Sequence, residues 1–134
     1  MTRILLVDDS ELVRRSMRNV LADQIAGATF GEAGDAAQAL AAVARAPWDL
    51  VLLDLSLPDR NGFDALRDMR RQWPALAVVV MSFNREAEYA AAARAAGAAG
   101  YVAKGSSADV IAAAVRDALA PPAAKDDTGR RPQR

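Results

Sequence analysis

The feature that most constrains this chain is a rhythm. Five short apolar runs, at residues 4–7, 28–33, 50–55, 76–81 and 101–103, alternate with stretches whose apolar residues recur at helical spacing. The first, third and fourth runs are almost unbroken Leu, Val and Ile. A strand with one wet face would alternate polar and apolar; these do not, which predicts strands covered on both faces in a parallel sheet. The run at 28–33 is weaker and more polar, as suits an edge strand. Between the runs, Leu12, Ser16 and Val20, with Met17 and Leu21, repeat at helical spacing, and Arg14, Arg15 and Arg18 are expected on the other side. Residues 35–46 put Leu40 and Val43 on one face and stop at Pro47; residues 64–73 group Leu66, Met69 and Trp73 and stop at Pro74. Residues 86–96 are rich in Ala, a strong helix former, with Gly97 placed to end them. Residues 107–119 open on a capping Ser107 and carry Val110, Ile111, Ala114, Val115 and Ala118 on one stripe.

Strand then helix, five times over, with right-handed crossovers, predicts an α/β fold: a five-stranded parallel sheet, doubly wound, with helices on both faces. The length, 134 residues, fits one domain, expected over 1–119. Residues 120–134 carry Pro, Gly, Asp and Arg without apolar periodicity and are expected to be a disordered tail or truncated linker.

Such a sheet places its site at the carboxyl ends of the strands. Composition narrows what that site can do. The chain has no Cys and no His, so thiolate metal sites and Ser-His-Asp or Cys-His catalysis are excluded. Its 17 basic and 17 acidic residues cancel, which argues against a general nucleic-acid binder. No run is long enough to span a membrane or serve as a signal-peptide core, so a cytoplasmic protein is expected.

The residues after the strands then stand out: Asp8 and Asp9, Asp54, Ser82 and Lys104. Taken singly, each reads as a cap, a turn residue or a solvated charge. Converging on one crevice, three carboxylates repel and call for a cation. Oxygen ligands with partial solvation suit Mg²⁺, which takes carboxylates, waters and phosphate oxygens. Lys104 supplies a second positive charge and Ser82 a hydroxyl donor, a set suited to phosphoryl transfer onto a carboxylate without an added acid or base.

These residues sit in recognisable strings. Ile4-Leu5-Leu6-Val7-Asp8-Asp9-Ser10, then Asp49-Leu50-Val51-Leu52-Leu53-Asp54-Leu55-Ser56-Leu57-Pro58 with Gly62, then Val80-Met81-Ser82 and Gly100-Tyr101-Val102-Ala103-Lys104 together resemble a response-regulator receiver domain of two-component signal transduction. The resemblance runs from residue 3 to about 119 and implies a flavodoxin-like (βα)5 fold. It implies that Asp54 is the phosphoacceptor, that Asp9 binds Mg²⁺ directly and Asp8 through water, and that Asp54 and the Ser56 backbone carbonyl complete the metal set. It implies that Ser82 is the switch hydroxyl, Lys104 the phosphoryl-holding lysine, and Tyr101 the aromatic that turns inward as Ser82 moves. The implied partner is a histidine kinase or phosphotransfer protein, with a possible homodimer on phosphorylation. Gly31-Glu32-Ala33 and Tyr101-Val102-Ala103-Lys104-Gly105 look like the branch with a helix-turn-helix output, but no further helix pair follows here, so no direct DNA binding and no membrane association are expected of this chain alone.

Three positions bear on how such a site would work. Phe83 stands where the family usually has a small residue, and Asn84 where it tunes dephosphorylation; both are expected to modulate access, with Asn84 as a helix cap the alternative. Gly105 stands in place of the usual Pro after the lysine, leaving open whether the Lys104–Gly105 bond is cis. The expected function is a phosphorylation switch rather than an enzyme. The alternatives are a receiver-like interaction module that works without phosphorylation, and a Mg²⁺-dependent aspartyl-phosphate phosphohydrolase, disfavoured because Ser56 stands where such enzymes place a second Asp.

Overall fold

A computed structural model describes residues 1–84 and 86–120. Its element order is β1 (Thr2–Val7), α1 (Glu11–Gln24), β2 (Ala28–Ala33), α2 (Ala36–Arg45), β3 (Leu50–Asp54), α3 (Gly62–Gln72), β4 (Ala77–Ser82), α4 (Ala87–Ala95), β5 (Gly100–Ala103) and α5 (Ala108–Leu119). The five strands form one parallel sheet in the order β2-β1-β3-β4-β5. The predicted fold class and the edge position of residues 28–33 are therefore both observed. The expected tail lies, apart from Ala120, outside the described residues.

The unbroken apolar strands have the expected cause. β3 is buried along its whole length, and its residues feed two cores. On one face Leu5, Val7, Val51, Leu53, Val78 and Val80 pack under α2, α3 and α4. On the other, Ile4, Leu6, Leu50, Leu52, Val79 and Met81 pack under α1 and α5. Each fully buried Leu or Val contributes roughly 1.5–3 kcal/mol over an exposed one, so central strands with apolar residues on both faces anchor the sheet.

Two helix stripes differ from their expected orientation. Leu12 is 73% exposed and Ser16 faces solvent, whereas Arg14 lies tucked in with its side chain 16% exposed. The rest of the expected repeat, Met17, Val20 and Leu21, does form the buried side of α1. Similarly, Val110 leaves the α5 stripe and is 53% exposed, while Ile111, Ala112, Val115 and Ala118 are buried. A helical stripe fixes an apolar side only to within about a third of the circumference; the rotation of the helix against the sheet decides which edge of it meets the core.

Candidate functional site

All five strand-end residues converge at the carboxyl edge of the sheet. β1 hands over to Asp8, whose N–H still pairs with the Ala33 carbonyl of β2 at 3.1 Å. Asp9 follows, exposed, and then Ser10 caps α1 by accepting from the Val13 N–H. Asp54 ends β3 in register with Met81, and Ser82 ends β4 in register with Ala103. Lys104 is the next residue, its N–H held by the Ser82 carbonyl at 2.7 Å.

Asp8, Asp9 and Asp54 each offer a carboxylate oxygen within 4.8 Å of the others. Lys104 Nζ reaches into this group, 2.7 Å from Asp8 Oδ2 and 3.2 Å from Asp54 Oδ2. The remaining oxygens take backbone donors: Ser10 N–H at Asp8 Oδ1 and Ser56 N–H at Asp54 Oδ1, at 2.9 and 3.0 Å. Asp54 is 3% exposed. Burial pushes its carboxyl above the usual range, and the nearby Asp8 charge adds to this, against the Ser56 N–H and Lys104. Burial works against the Lys104 ammonium too, but the Asp8 and Asp54 carboxylates outweigh it and hold the lysine above its ordinary range. One ammonium among three carboxylates thus leaves surplus negative charge. An all-oxygen donor set with that surplus fits a hard divalent cation such as Mg²⁺.

Ser82 is buried, and its hydroxyl accepts from the Asn84 N–H at 3.1 Å. Tyr101 is half-buried, and its hydroxyl donates to the Asn84 carbonyl at 2.6 Å. The Asn84 side chain in turn accepts from the Glu86 N–H at 2.8 Å. It therefore braces the turn before α4 and is not the N-cap itself; that position is Glu86, which makes no side-chain capping bond. Phe83 is 76% exposed, and its ring centroid lies 5.0 Å from Lys104 Nζ. Beside it opens a cleft of about 470 Å³ lined by Ser56, Pro58, Phe63, Ser82, Phe83 and Tyr89, among others. The Lys104–Gly105 bond is trans, since the described residues contain no cis peptide; Gly105 instead turns the chain with φ at +89°, a region open to glycine.

Two supports of this site were not legible as such in the sequence. Asp59, in the loop after β3, accepts the Ala36 and Ala37 N–H groups at 2.9 and 3.0 Å and so ties that loop to the start of α2. These bonds hold the Asp59 carboxyl below its usual range. Arg14 donates to the Asp8 carbonyl and to Glu32 Oε1, the latter at 2.7 Å. Asp59 reads in sequence as a turn residue and Arg14 as a helix-surface charge. Neither carries a local signal, because the partners are supplied by other strands and helices. Gly62, which the sequence strings did include, has a steric reason: a Cβ there would lie 2.4 Å from Leu55 Cα.

Comparison with known proteins places this geometry. The family described as response regulator receiver domain matches residues 4–116. The DNA-binding transcriptional activator DevR/DosR of Mycobacterium tuberculosis is 38% identical over 117 residues, 87% of this chain and 54% of that protein. The response regulator UvrY of Escherichia coli is 34% identical over 116 residues, 87% and 53% of the two chains. This chain thus spans about half the length of these curated relatives. A two-component response regulator of the LuxR family from Aurantimonas sp. superposes with a TM-score of 0.82 at 32% identity, covering 89% of this chain and 86% of that one. A CheY-like receiver domain protein from Methanospirillum hungatei shares the fold, with a TM-score of 0.81 at 23% identity over 96% and 99% of the chains.

Proposed function

Since the chain belongs to the response-regulator receiver domain family of two-component systems, we propose that it is a phosphoacceptor switch in which Asp54 takes a phosphoryl group from a histidine kinase or phosphotransfer protein. The observation that carries this reading is the pairing of a nearly buried Asp54 with Lys104 Nζ at 3.2 Å, at the strand end where Asp8, Asp9 and Ser82 also converge. A carboxylate oxygen of Asp54 forms the new bond to phosphorus. The phosphorus–nitrogen bond of the donor phosphohistidine breaks, and its electron pair leaves with the imidazole. Lys104 moves its ion pair onto a phosphoryl oxygen. Ser82 gives up the Asn84 N–H and donates its own hydrogen to another.

Asp8, Asp9, Asp54 and the Ser56 carbonyl are the residues that would hold Mg²⁺. Bound there, the ion would supply charge neutralisation for the phosphoryl oxygens. As the family resemblance implies, Asp9 would contact the ion directly and Asp8 through water; Asp8 and Asp54 each already hold Lys104 and one backbone N–H. Tyr101 is the responding aromatic, because its hydroxyl bond to the Asn84 carbonyl reports any shift of the Ser82 loop. On this reading the chain acts as a switch rather than an enzyme. Residues 1–119 form the receiver unit, and it works in the cytoplasm, pairs with itself on phosphorylation and does not itself contact DNA. No helix among the described residues is long and apolar enough to cross a membrane.

A second reading has one observation in its favour. Phe83 lies over Lys104 in cation–π contact, and a module that never meets phosphate could tolerate such a cover. Incubation with acetyl phosphate and Mg²⁺ followed by mass spectrometry separates the two. The switch gains one phosphate, and Asp54→Asn gains none. Absence of label on the parent, or equal label on both, rejects Asp54 as acceptor.

A further inference from the structure

The Asp8–Asp9 turn must aim two carboxylates at one ion, yet Asp9 is exposed and packing does little to direct it. Its direction is set by the backbone of the turn. That backbone is fixed on one side by Asp8 N–H on the Ala33 carbonyl, and on the other by the Arg14 guanidinium on the Asp8 carbonyl. The same guanidinium is braced from behind. Its Nε donates to Glu32 Oε1 at 2.7 Å, and Glu32 is itself held by Arg18 at 2.6 Å through Oε2. Arg14 thus spans the turn and the edge strand β2 with two separate nitrogens, in a side chain only 16% exposed. A lysine would have to reach both partners from a single nitrogen on a flexible stem, whereas the planar guanidinium of Arg14 presents two nitrogens in a fixed geometry.

We propose that Arg14, braced by Glu32, is a positioning residue for the divalent-cation site, holding the Asp8–Asp9 turn so that both carboxylates face the metal. The inference rests on the cation-binding reading of Asp8, Asp9 and Asp54. Outer residues that orient metal ligands commonly matter on the order of tenfold or more in affinity. The proposal also has a sign that charge alone cannot mimic. Removing a guanidinium next to an acidic cluster should by Coulomb's law tighten cation binding. Loss of positioning should weaken it.

The test is calorimetric titration of the parent, Arg14→Ala and Arg14→Lys with MgCl₂ at constant ionic strength, alongside labelling by acetyl phosphate over a range of Mg²⁺. Arg14→Ala is expected to bind Mg²⁺ about tenfold more weakly. Arg14→Lys, which keeps the charge and folds if the alanine variant does not, should also lose affinity. The Mg²⁺ concentration giving half-maximal labelling should rise by the same factor, with excess Mg²⁺ restoring the rate. Unchanged or tighter Mg²⁺ binding in the variants overturns the role of Arg14, as does slower labelling with an unchanged Mg²⁺ midpoint. A parent that binds no Mg²⁺ overturns the cation site itself, and is told apart because the parent arm fails first.

Discussion

The two walls of the cleft at the carboxyl edge of the sheet are built differently. The wall formed by the β1 and β3 loops is fastened at many points: Ser10 caps α1, Asp59 seals the start of α2, the Asn61 side chain accepts from the Phe63 N–H, and Gly62 donates to the Leu55 carbonyl. Behind it, α3 buries Ala65, Leu66 and Met69 completely. The opposite wall, from β4 into α4, rests on the Ser82, Asn84 and Tyr101 contacts, and α4 buries only Ala93. Both helices have good intrinsic propensity. What separates them is docking area, since an Ala face removes far less apolar surface from water than a Leu and Met face. On the phosphoacceptor reading, one fastened wall and one lightly docked wall would hold Asp54 still while a change passes outward along the other side.

The largest test of this contrast is a pair of core substitutions. Leu66→Ala should cost about 2–5 kcal/mol. Ala93→Gly in α4 should cost about 1 kcal/mol in propensity, plus the loss of one methyl contact. Urea unfolding measures both, and equal costs would break the comparison. Next comes amide hydrogen exchange in the parent. The α4 amides should exchange at least about tenfold faster than those of α3, a difference of roughly 1.4 kcal/mol in opening free energy. Equal protection would show that α4 is docked by more than its buried residues suggest.

A smaller effect is expected at Phe83, which sits on the lightly docked wall over Lys104. On the phosphoacceptor reading, an incoming donor and a hydrolytic water would both approach phosphorus on the side away from Asp54, and a ring that gates the site would narrow one path for both. Phe83→Ala should label faster from a small donor and lose phosphate faster, severalfold each, with Mg²⁺ affinity unchanged. Rates within about twofold of the parent, roughly 0.4 kcal/mol in barrier, would make Phe83 a contact residue rather than a gate.

The smallest effect belongs to the fastened wall. Hydrogen bonds from Arg14 and then Arg18 hold the Glu32 carboxyl below its usual range, against the cost of burial. A carboxylate lowered in the folded state adds stability above its unfolded pKa and loses it as pH falls through the folded value. Glu32→Gln should therefore melt below the parent at pH 7, by no more than about 1 kcal/mol for a partly exposed pair. The gap should close as pH drops below the carboxylate range. A gap that stays constant with pH would assign the loss to packing instead.

Much of the site was readable in the chain because its members each follow a strand. Asp8, Asp9, Asp54, Ser82 and Lys104 are placed by the strand ends, so finding the strands finds the residues, and the structure brings all five together. The boundaries shift by a residue: residue 55 falls outside β3 although its N–H still reaches the Met81 carbonyl at 3.3 Å, and β4 begins at Ala77 and takes in Ser82. Arg14 and Asp59 could not be assigned from pattern, since Glu32 lies 18 residues from Arg14, and Ala36 and Ala37 lie 23 and 22 residues from Asp59. Leu12 and Val110 show the converse, apolar residues at the right spacing left outside by the rotation of their helices.

The amino-acid order by itself determined the alternation of strand and helix, the burial of β1, β3 and β4 on both faces, and the identity of the residues at the sheet's carboxyl edge. These follow from periodicity and composition, which are local properties of the chain. The tertiary structure alone decided that Arg14 turns inward to the Asp8 carbonyl, that Asp59 closes the start of α2, that the Lys104–Gly105 bond stays trans with Gly105 at positive φ, and that Phe83 lies over Lys104. Each of these depends on how packed elements are rotated and spaced, and a side chain's partner across such a contact is fixed by geometry that no single stretch of sequence contains.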